Sequence, residues 1–171
     1  MKSNNTNKAH EMRKAFVFDF DDTLAFTDAC VLVLDENDSW RKLTPAQFNH
    51  YELQDGERFD FSQFRNPKYI LNGKPTRLVS LAKEVYKEGH DLFILTARTD
   101  SVAGAIQEFL SQFSINATAV HCVGDAGSDI AKSKRKVLLT IVESYDTIYF
   151  YDDDQKNVEA AQEIGIKSYK V

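Results

Sequence analysis

Asp19 and Asp21 stand at the end of an apolar run, Ala15-Phe16-Val17-Phe18, and are followed directly by Asp22-Thr23-Leu24. If the chain stays extended through Phe20, the two-residue alternation aims Asp19 and Asp21 at one space while Phe20 turns toward the core. Carboxylates that share a space repel each other, so a cation or a proton must compensate. Such a pair can serve as nucleophile, acid–base catalyst or ligand of a hard metal ion. A lone D-x-D is usually a solvated acidic turn. Three later segments weigh against that reading.

Asp91-Leu92-Phe93-Ile94-Leu95-Thr96 is a second apolar run, ending in a hydroxyl and followed by Ala97-Arg98. Further on, Ser133-Lys134-Arg135-Lys136-Val137-Leu138-Leu139 puts basic residues at the start of a predicted helix. Last comes Thr147-Ile148-Tyr149-Phe150-Tyr151-Asp152-Asp153-Asp154, another apolar run closed by acids, with Asn157 shortly after. Strand and carboxylate pair, strand and Thr, lysine, strand and Asp-Asp, in that order, resembles the haloacid dehalogenase superfamily of phosphohydrolases. The resemblance runs from Ala15 to Val171 and is thinnest after Leu24.

That resemblance implies phosphoryl transfer through an aspartate. Asp19 would be the nucleophile and Asp21 the general acid and base. Mg²⁺ would sit on Asp19, the main-chain carbonyl of Asp21 and Asp153, with Asp152 as a supporting or alternative ligand. Thr96, with the amides of Ala97 and Arg98 after it, would hold the phosphoryl oxygens, and Thr23 would brace the loop or touch substrate. A lysine would stabilise the transferred group. Ser133 reads as a helix N-cap, so that Lys134 opens the helix and reaches the strand ends; Lys132 and Lys136 compete with it. Arg98 is a candidate substrate contact, although an arginine just after a strand is more often on the surface. Gly124-Asp125-Ala126-Gly127-Ser128-Asp129 also fits the family's last acidic motif. Its place argues against it, because no lysine lies between Ala97 and Ala131. It reads instead as a loop after a strand.

These residues need a scaffold. Apolar runs predict strands at 15–20, 91–96, 118–123, 147–151 and 167–171. Helices are predicted between them, over 76–88, from Val102 through Phe113, over 134–145 and over 155–164. Strands that alternate with helices predict an α/β fold of the Rossmann-like kind, a three-layer arrangement with about five parallel strands and helices on both faces. Ligands of such sheets gather at the carboxyl ends of the strands, where all the motifs fall. Residues 15–171 form one core domain, interrupted at about 25–75 by an insert that breaks the rhythm. Its Val31-Leu32-Val33-Leu34, Asp35 to Asp38 and Ser39 to Lys42 read as a β-hairpin. Thr44-Pro45 opens a short helix to about Leu53. The stretch holding Phe59, Phe61 and Phe64 has no legible pattern.

An insert at this place resembles a reduced cap. Such an open site implies large substrates, such as phosphorylated polynucleotide ends or phosphoproteins, with nucleotide or sugar phosphates as the small-molecule alternative. The bland alternative is an insert that only completes the fold or dimerises. A reading of another class is a non-catalytic phosphate-binding protein on the same scaffold. Dehalogenation fits less well, since it has no need of Asp21 or a metal-binding acid pair.

Composition sets the bounds. The chain of 171 residues is 43% hydrophobic and 27% charged, ordinary for a globular domain. A net charge of −5 argues against broad nonspecific nucleic-acid binding and mildly for a small substrate. No apolar run approaches a membrane span. Residues 1–14 read as a flexible polar tail rather than a leader. With two cysteines, Cys30 and Cys122, there is no disulfide framework, which suits a reducing cytoplasm. Oligomeric state is not legible.

Overall fold

The structure, a computed structural model, describes residues 12–48, 50–125 and 129–171. Residues 1–11 of the tail lie outside it. Arg13, by contrast, is engaged: its amide donates to the Asp146 carboxylate, and its carbonyl accepts from the Asp146 and Thr147 amides.

The chain runs β1 (Lys14–Phe18), then an insert of β2 (Ala25–Phe26), β3 (Val31–Leu34), β4 (Trp40–Leu43), α1 (Pro45–Phe48), β5 (Arg58–Asp60), α2 (Pro67–Leu71) and β6 (Lys74–Pro75). The core resumes with α3 (Leu78–Lys87), β7 (Asp91–Thr96), α4 (Ala103–Ser111) and β8 (Ala119–Cys122). It ends with α5 (Ile130–Val142), β9 (Thr147–Asp152), α6 (Gln155–Gln162) and β10 (Lys167–Lys170). Five strands form one parallel sheet in the order β10-β9-β1-β7-β8. This is the predicted α/β Rossmann-like fold.

Alternation along the central strands divides the core into two layers. Phe18, Leu92 and Ile94 face α3 and α4, packing with Val79, Ala82, Ile106 and Phe109. Ala15, Val17, Phe93, Leu95 and Phe150 face α5 and α6, packing with Leu138, Ile141 and Ala161. Each fully buried Leu, Ile or Phe contributes roughly 1.5–3 kcal/mol by leaving water. The order of strands puts a topological switch at β1: the chain leaves it for β7 on one side and comes back at β9 on the other. Loops from β1 and β9 therefore part at their carboxyl ends and open a crevice there.

Several boundaries depart from expectation. β1 ends at Phe18 rather than Phe20, because the Phe20 carbonyl accepts amides from Thr23, Leu24 and Ala25 and turns the chain. Asp22 lies in the left-handed region at φ 58°, which aspartate tolerates better than most residues. α5 begins at Ile130, capped by Asp129, whose side chain accepts the Lys132 amide. Ser133 is therefore not the N-cap; Asp129 offers the same cap one turn earlier. The helix predicted to reach Leu53 stops at Phe48.

In the insert, β2 and β6 pair antiparallel and close its neck. The predicted hairpin is β3 with β4, its turn held by the Asp35 carboxylate accepting the Asn37 and Ser39 amides. β5, unpredicted, adds to the other edge of β3. Among the described residues no helix is long and apolar enough to cross a membrane.

Candidate active site

The site residues reach one place by different routes. Asp19 follows β1, its amide bonded to the Tyr151 carbonyl of β9. Asp152 ends β9 and Asp153 follows it. Lys134 sits one turn into α5, on the same stripe as Leu138 and Ile141, and all three are buried. The spacing 134, 138, 141 places them on one helix face. That apolar stripe was in the sequence and singles out Lys134; Lys132 and Lys136 are exposed.

The Lys134 ammonium bridges two carboxylates, 2.8 Å from Asp19 Oδ1 and 2.7 Å from Asp152 Oδ2. All three groups are buried, with Lys134 and Asp152 essentially inaccessible. Burial opposes the charged ammonium, yet the Asp19 and Asp152 carboxylates prevail and hold the Lys134 pKa above its ordinary value. Burial also pushes the Asp19 carboxyl well above its usual range; Lys134 opposes this, while Asp152 and Asp21 add to it. Asp153 is pushed up to about 6 by burial and by the neighbouring Asp152 and Asp22. The cluster is thus over-supplied with negative charge. Holding ions there costs several kcal/mol of desolvation each, which a purely structural core avoids.

Remaining valences are organised too. Thr23 donates its hydroxyl to Asp19 Oδ2 at 3.0 Å, so it braces the nucleophile candidate from inside the core. Asn157 donates to both oxygens of Asp152 at 3.1 Å, and the Asp154 amide donates to Oδ1. Asn157 carried a signal, being placed on the first turn of the helix after Asp152. Thr96 is fully buried at the end of β7, and its Oγ1 accepts the Arg98 amide at 3.2 Å. Ala97 is exposed beside it.

For Arg98 the structure departs from the bland surface alternative. Arg98 is 3% exposed rather than on the surface. Its guanidinium grips Asp21 with two bonds, 2.8 Å from Oδ2 and 2.7 Å from Oδ1. Further bonds run to the Phe64 carbonyl and the Thr27 hydroxyl, and the guanidinium lies 5.2 Å from the Phe64 ring centre. Thr27 also donates to Asp21. The repulsion foreseen between Asp19 and Asp21 is therefore met by two separate cations, one per acid. Nothing local in the sequence marks Thr27 or Phe64 for this.

Among the described residues of the Gly124 to Asp129 loop, neither acid joins the cluster. Asp129 caps α5 and Asp125 is exposed; Ala126, Gly127 and Ser128 lie outside the described residues. Gly124 has a steric cause: a Cβ there would meet the Ala97 carbonyl oxygen at 2.5 Å.

Asp19, Asp152 and Asp153 each offer a carboxylate oxygen, and these oxygens all lie within 4.8 Å of one another. An all-oxygen, over-charged donor set suits a hard cation such as Mg²⁺. A cavity of about 610 Å³ lies beside the cluster, between the loops that carry Asp21 and Arg98 and the insert.

Among the solved structures similar to the chain, three are informative. One contains a chain of the Pnkp1/Rnl/Hen1 RNA repair complex, with 13% identity and a TM-score of 0.64 over all of this chain and 47% of that one. This chain thus spans about half the length of that relative. Another is an enzyme of the haloacid dehalogenase family from Bacteroides thetaiotaomicron, in complex with magnesium and inorganic phosphate. It has 14% identity and a TM-score of 0.51, over 92% of this chain and 93% of that one. The third is L-2-haloacid dehalogenase from Xanthobacter autotrophicus, with 14% identity and a TM-score of 0.58 over 94% and 78%. No family model matches the chain, and no curated protein matches it in sequence. Identities this low speak to architecture alone, and on that ground the chain has the fold of the haloacid dehalogenase enzymes.

Proposed function

We propose that the chain is a Mg²⁺-dependent phosphomonoester hydrolase that works through an aspartyl-phosphate. The observation that carries this reading is the buried Lys134 ammonium between Asp19 and Asp152, next to Asp153 at the sheet's switch point.

Asp19 attacks phosphorus through its carboxylate, and the bond from phosphorus to the leaving oxygen breaks. Asp21 frees one of its two oxygens from Arg98, takes up a proton there from solvent and passes it to the leaving oxygen. It then takes a proton from water, which attacks the aspartyl-phosphate and frees phosphate and Asp19. Lys134 stabilises charge on the transferred group, and Thr96 offers its hydroxyl proton to a phosphoryl oxygen. Asp19, Asp153 and the Asp21 carbonyl would hold Mg²⁺, with Asp152 as a supporting or alternative ligand, and the bound ion would supply positive charge that favours ionised Asp19 beside a phosphate dianion.

The insert acts as a reduced cap. The substrate is a phosphorylated polynucleotide end or a small phosphomonoester. The likeness to a chain of an RNA repair complex supports the first, and the net charge of −5 supports the second.

Hydrolysis of a generic aryl phosphate should require Mg²⁺ and stop with chelator. Full activity in excess chelator would overturn the mechanism. Absence of hydrolysis under all metal conditions would favour a non-catalytic phosphate-binding protein.

A further inference from the structure

The 610 Å³ cavity does not touch Asp19, Lys134 or Asp153. Its lining includes Asp21, Asp22 and Arg98 together with side chains of the insert, and its walls are mostly apolar. It therefore borders the group assigned to protonate the leaving oxygen and not the nucleophile, which is where a leaving group would lie. Its volume falls in the range of small-ligand sites, far more than a phosphate needs.

The chemistry of the walls narrows the occupant. Phe48 and Phe61 line it, with ring centres 5.8 Å apart and planes at 88°. Phe59 packs against both, at 5.1 Å from Phe48 and 5.9 Å from Phe61. Edge-to-face contacts of this kind hold rings in fixed orientations. Yet Phe61 stays 42% exposed, a large apolar side chain kept in reach of solvent. Arg65, exposed, lies on the same wall and offers a planar guanidinium that stacks on rings. Arg98 is already neutralised by Asp21, and Asp22 adds a further acid to the same lining. A second anionic group on the leaving group would meet acids there. An uncharged flat ring on a short spacer would meet aromatic walls.

We propose that this cavity, lined by Phe48, Phe61, Phe64 and Arg65, is a subsite for an aromatic ring carried by the leaving group. The phosphomonoester hydrolysed is then that of a nucleoside. This rests on the phosphohydrolase reading above and adds the class of substrate. The nucleoside comes either as a free mononucleotide or as the terminal residue of a polynucleotide.

Two measurements on the full chain test it. In the first, uncharged nucleosides are titrated by NMR into wild-type protein and Phe61→Ala, without any phosphate. Saturable shifts in the wild type, weakened about tenfold in Phe61→Ala, are expected from the loss of one stacked ring. Absence of binding, or binding indifferent to both Phe61→Ala and Phe48→Ala, overturns the subsite whatever the protein hydrolyses. In the second, kcat/KM with Mg²⁺ is compared for a nucleoside monophosphate, a terminally phosphorylated oligonucleotide and glycerol 2-phosphate. The ratio of the better nucleoside substrate to glycerol phosphate should fall about tenfold in Phe61→Ala. A higher value for the oligonucleotide assigns the polymer end, and a higher value for the mononucleotide assigns the free nucleotide. Preference for glycerol phosphate in the wild type overturns the subsite but leaves the phosphohydrolase reading standing. Hydrolysis of none of the three counts against that reading, and the nucleoside titration then decides the subsite alone.

Discussion

The parallel core and the insert each put one kind of side chain where it does not ordinarily belong. In the core, charge is buried: Asp19 is 5% exposed, Lys134 2% and Asp152 0%. In the insert, large apolar groups face water: Trp40 is 62% exposed, Phe26 55% and Phe61 42%. A lone exposed aromatic needs no explanation, whereas charged groups are almost never fully buried unless paired. The contrast shows how differently the two regions declare a role. The core does so by holding ions against their desolvation cost. The insert does so only through the shape its rings make with the core. Arg98 joins the two, since it leaves the end of β7, grips Asp21 and reaches the Phe64 carbonyl of the insert.

Breaking the core's side of that contrast should have the largest effect. Asp19→Asn should lower turnover roughly a thousandfold or more, as loss of a nucleophile does. Circular dichroism should show the fold intact, because one of several crowded carboxylates has been neutralised. Near-normal turnover would mean that the nucleophile is another residue. Next comes Lys134→Ala, which leaves Asp19 and Asp152 buried together without their shared ammonium. In metal-free buffer, urea unfolding should report a loss of about 3–5 kcal/mol. Lys132→Ala and Lys136→Ala, on the exposed side of α5, should each stay within about 0.5 kcal/mol. Equal effects at the three positions would erase the distinction between buried and solvated charge.

Arg98→Lys tests the joint between the regions. A lysine keeps the charge but cannot form the two-pronged grip on Asp21 and also reach Phe64. A cost of roughly 2 kcal/mol is expected from the lost charged hydrogen bonds. Turnover should fall while KM changes less, because Asp21 loses its fixed place; a change in KM alone would assign Arg98 to substrate binding instead. The smallest effect belongs to Trp40→Ala on the exposed edge strand β4, within about 0.5 kcal/mol by urea unfolding. A loss above about 2 kcal/mol that depends on protein concentration would show Trp40 covered by a second copy.

Much of the core was legible because its causes are local. Apolar runs of strand length between helical stripes imply the parallel sheet, and the acids and threonine mark the strand ends by adjacency alone. Lys134 shares a stripe with Leu138 and Ile141, which favours it over Lys132 and Lys136, although the N-cap is Asp129 and not Ser133. Two N-cap residues of equal chemistry one turn apart cannot be ranked by propensity. In the insert, β3 and β4 were readable as a hairpin because an acidic turn joins them. β5 was not, because its three residues, Arg58–Asp60, gain strand geometry only from the free edge of β3.

By itself, the sequence determined the order of strands and helices, the sheet's class and the set of acids that arrive at its carboxyl edge. Those follow from side-chain periodicity and from what adjoins what along the chain. Only the tertiary structure decided how the charges pair. Asp19 meets Lys134 across 115 residues, and Asp21 meets Arg98 across 77. It alone decided that Arg98 is buried, because Thr27 and Phe64 close over it from segments of the insert that carry no local signature. A charge's partner is chosen by distance in space and by exclusion of water, and neither is written at any one position of the chain.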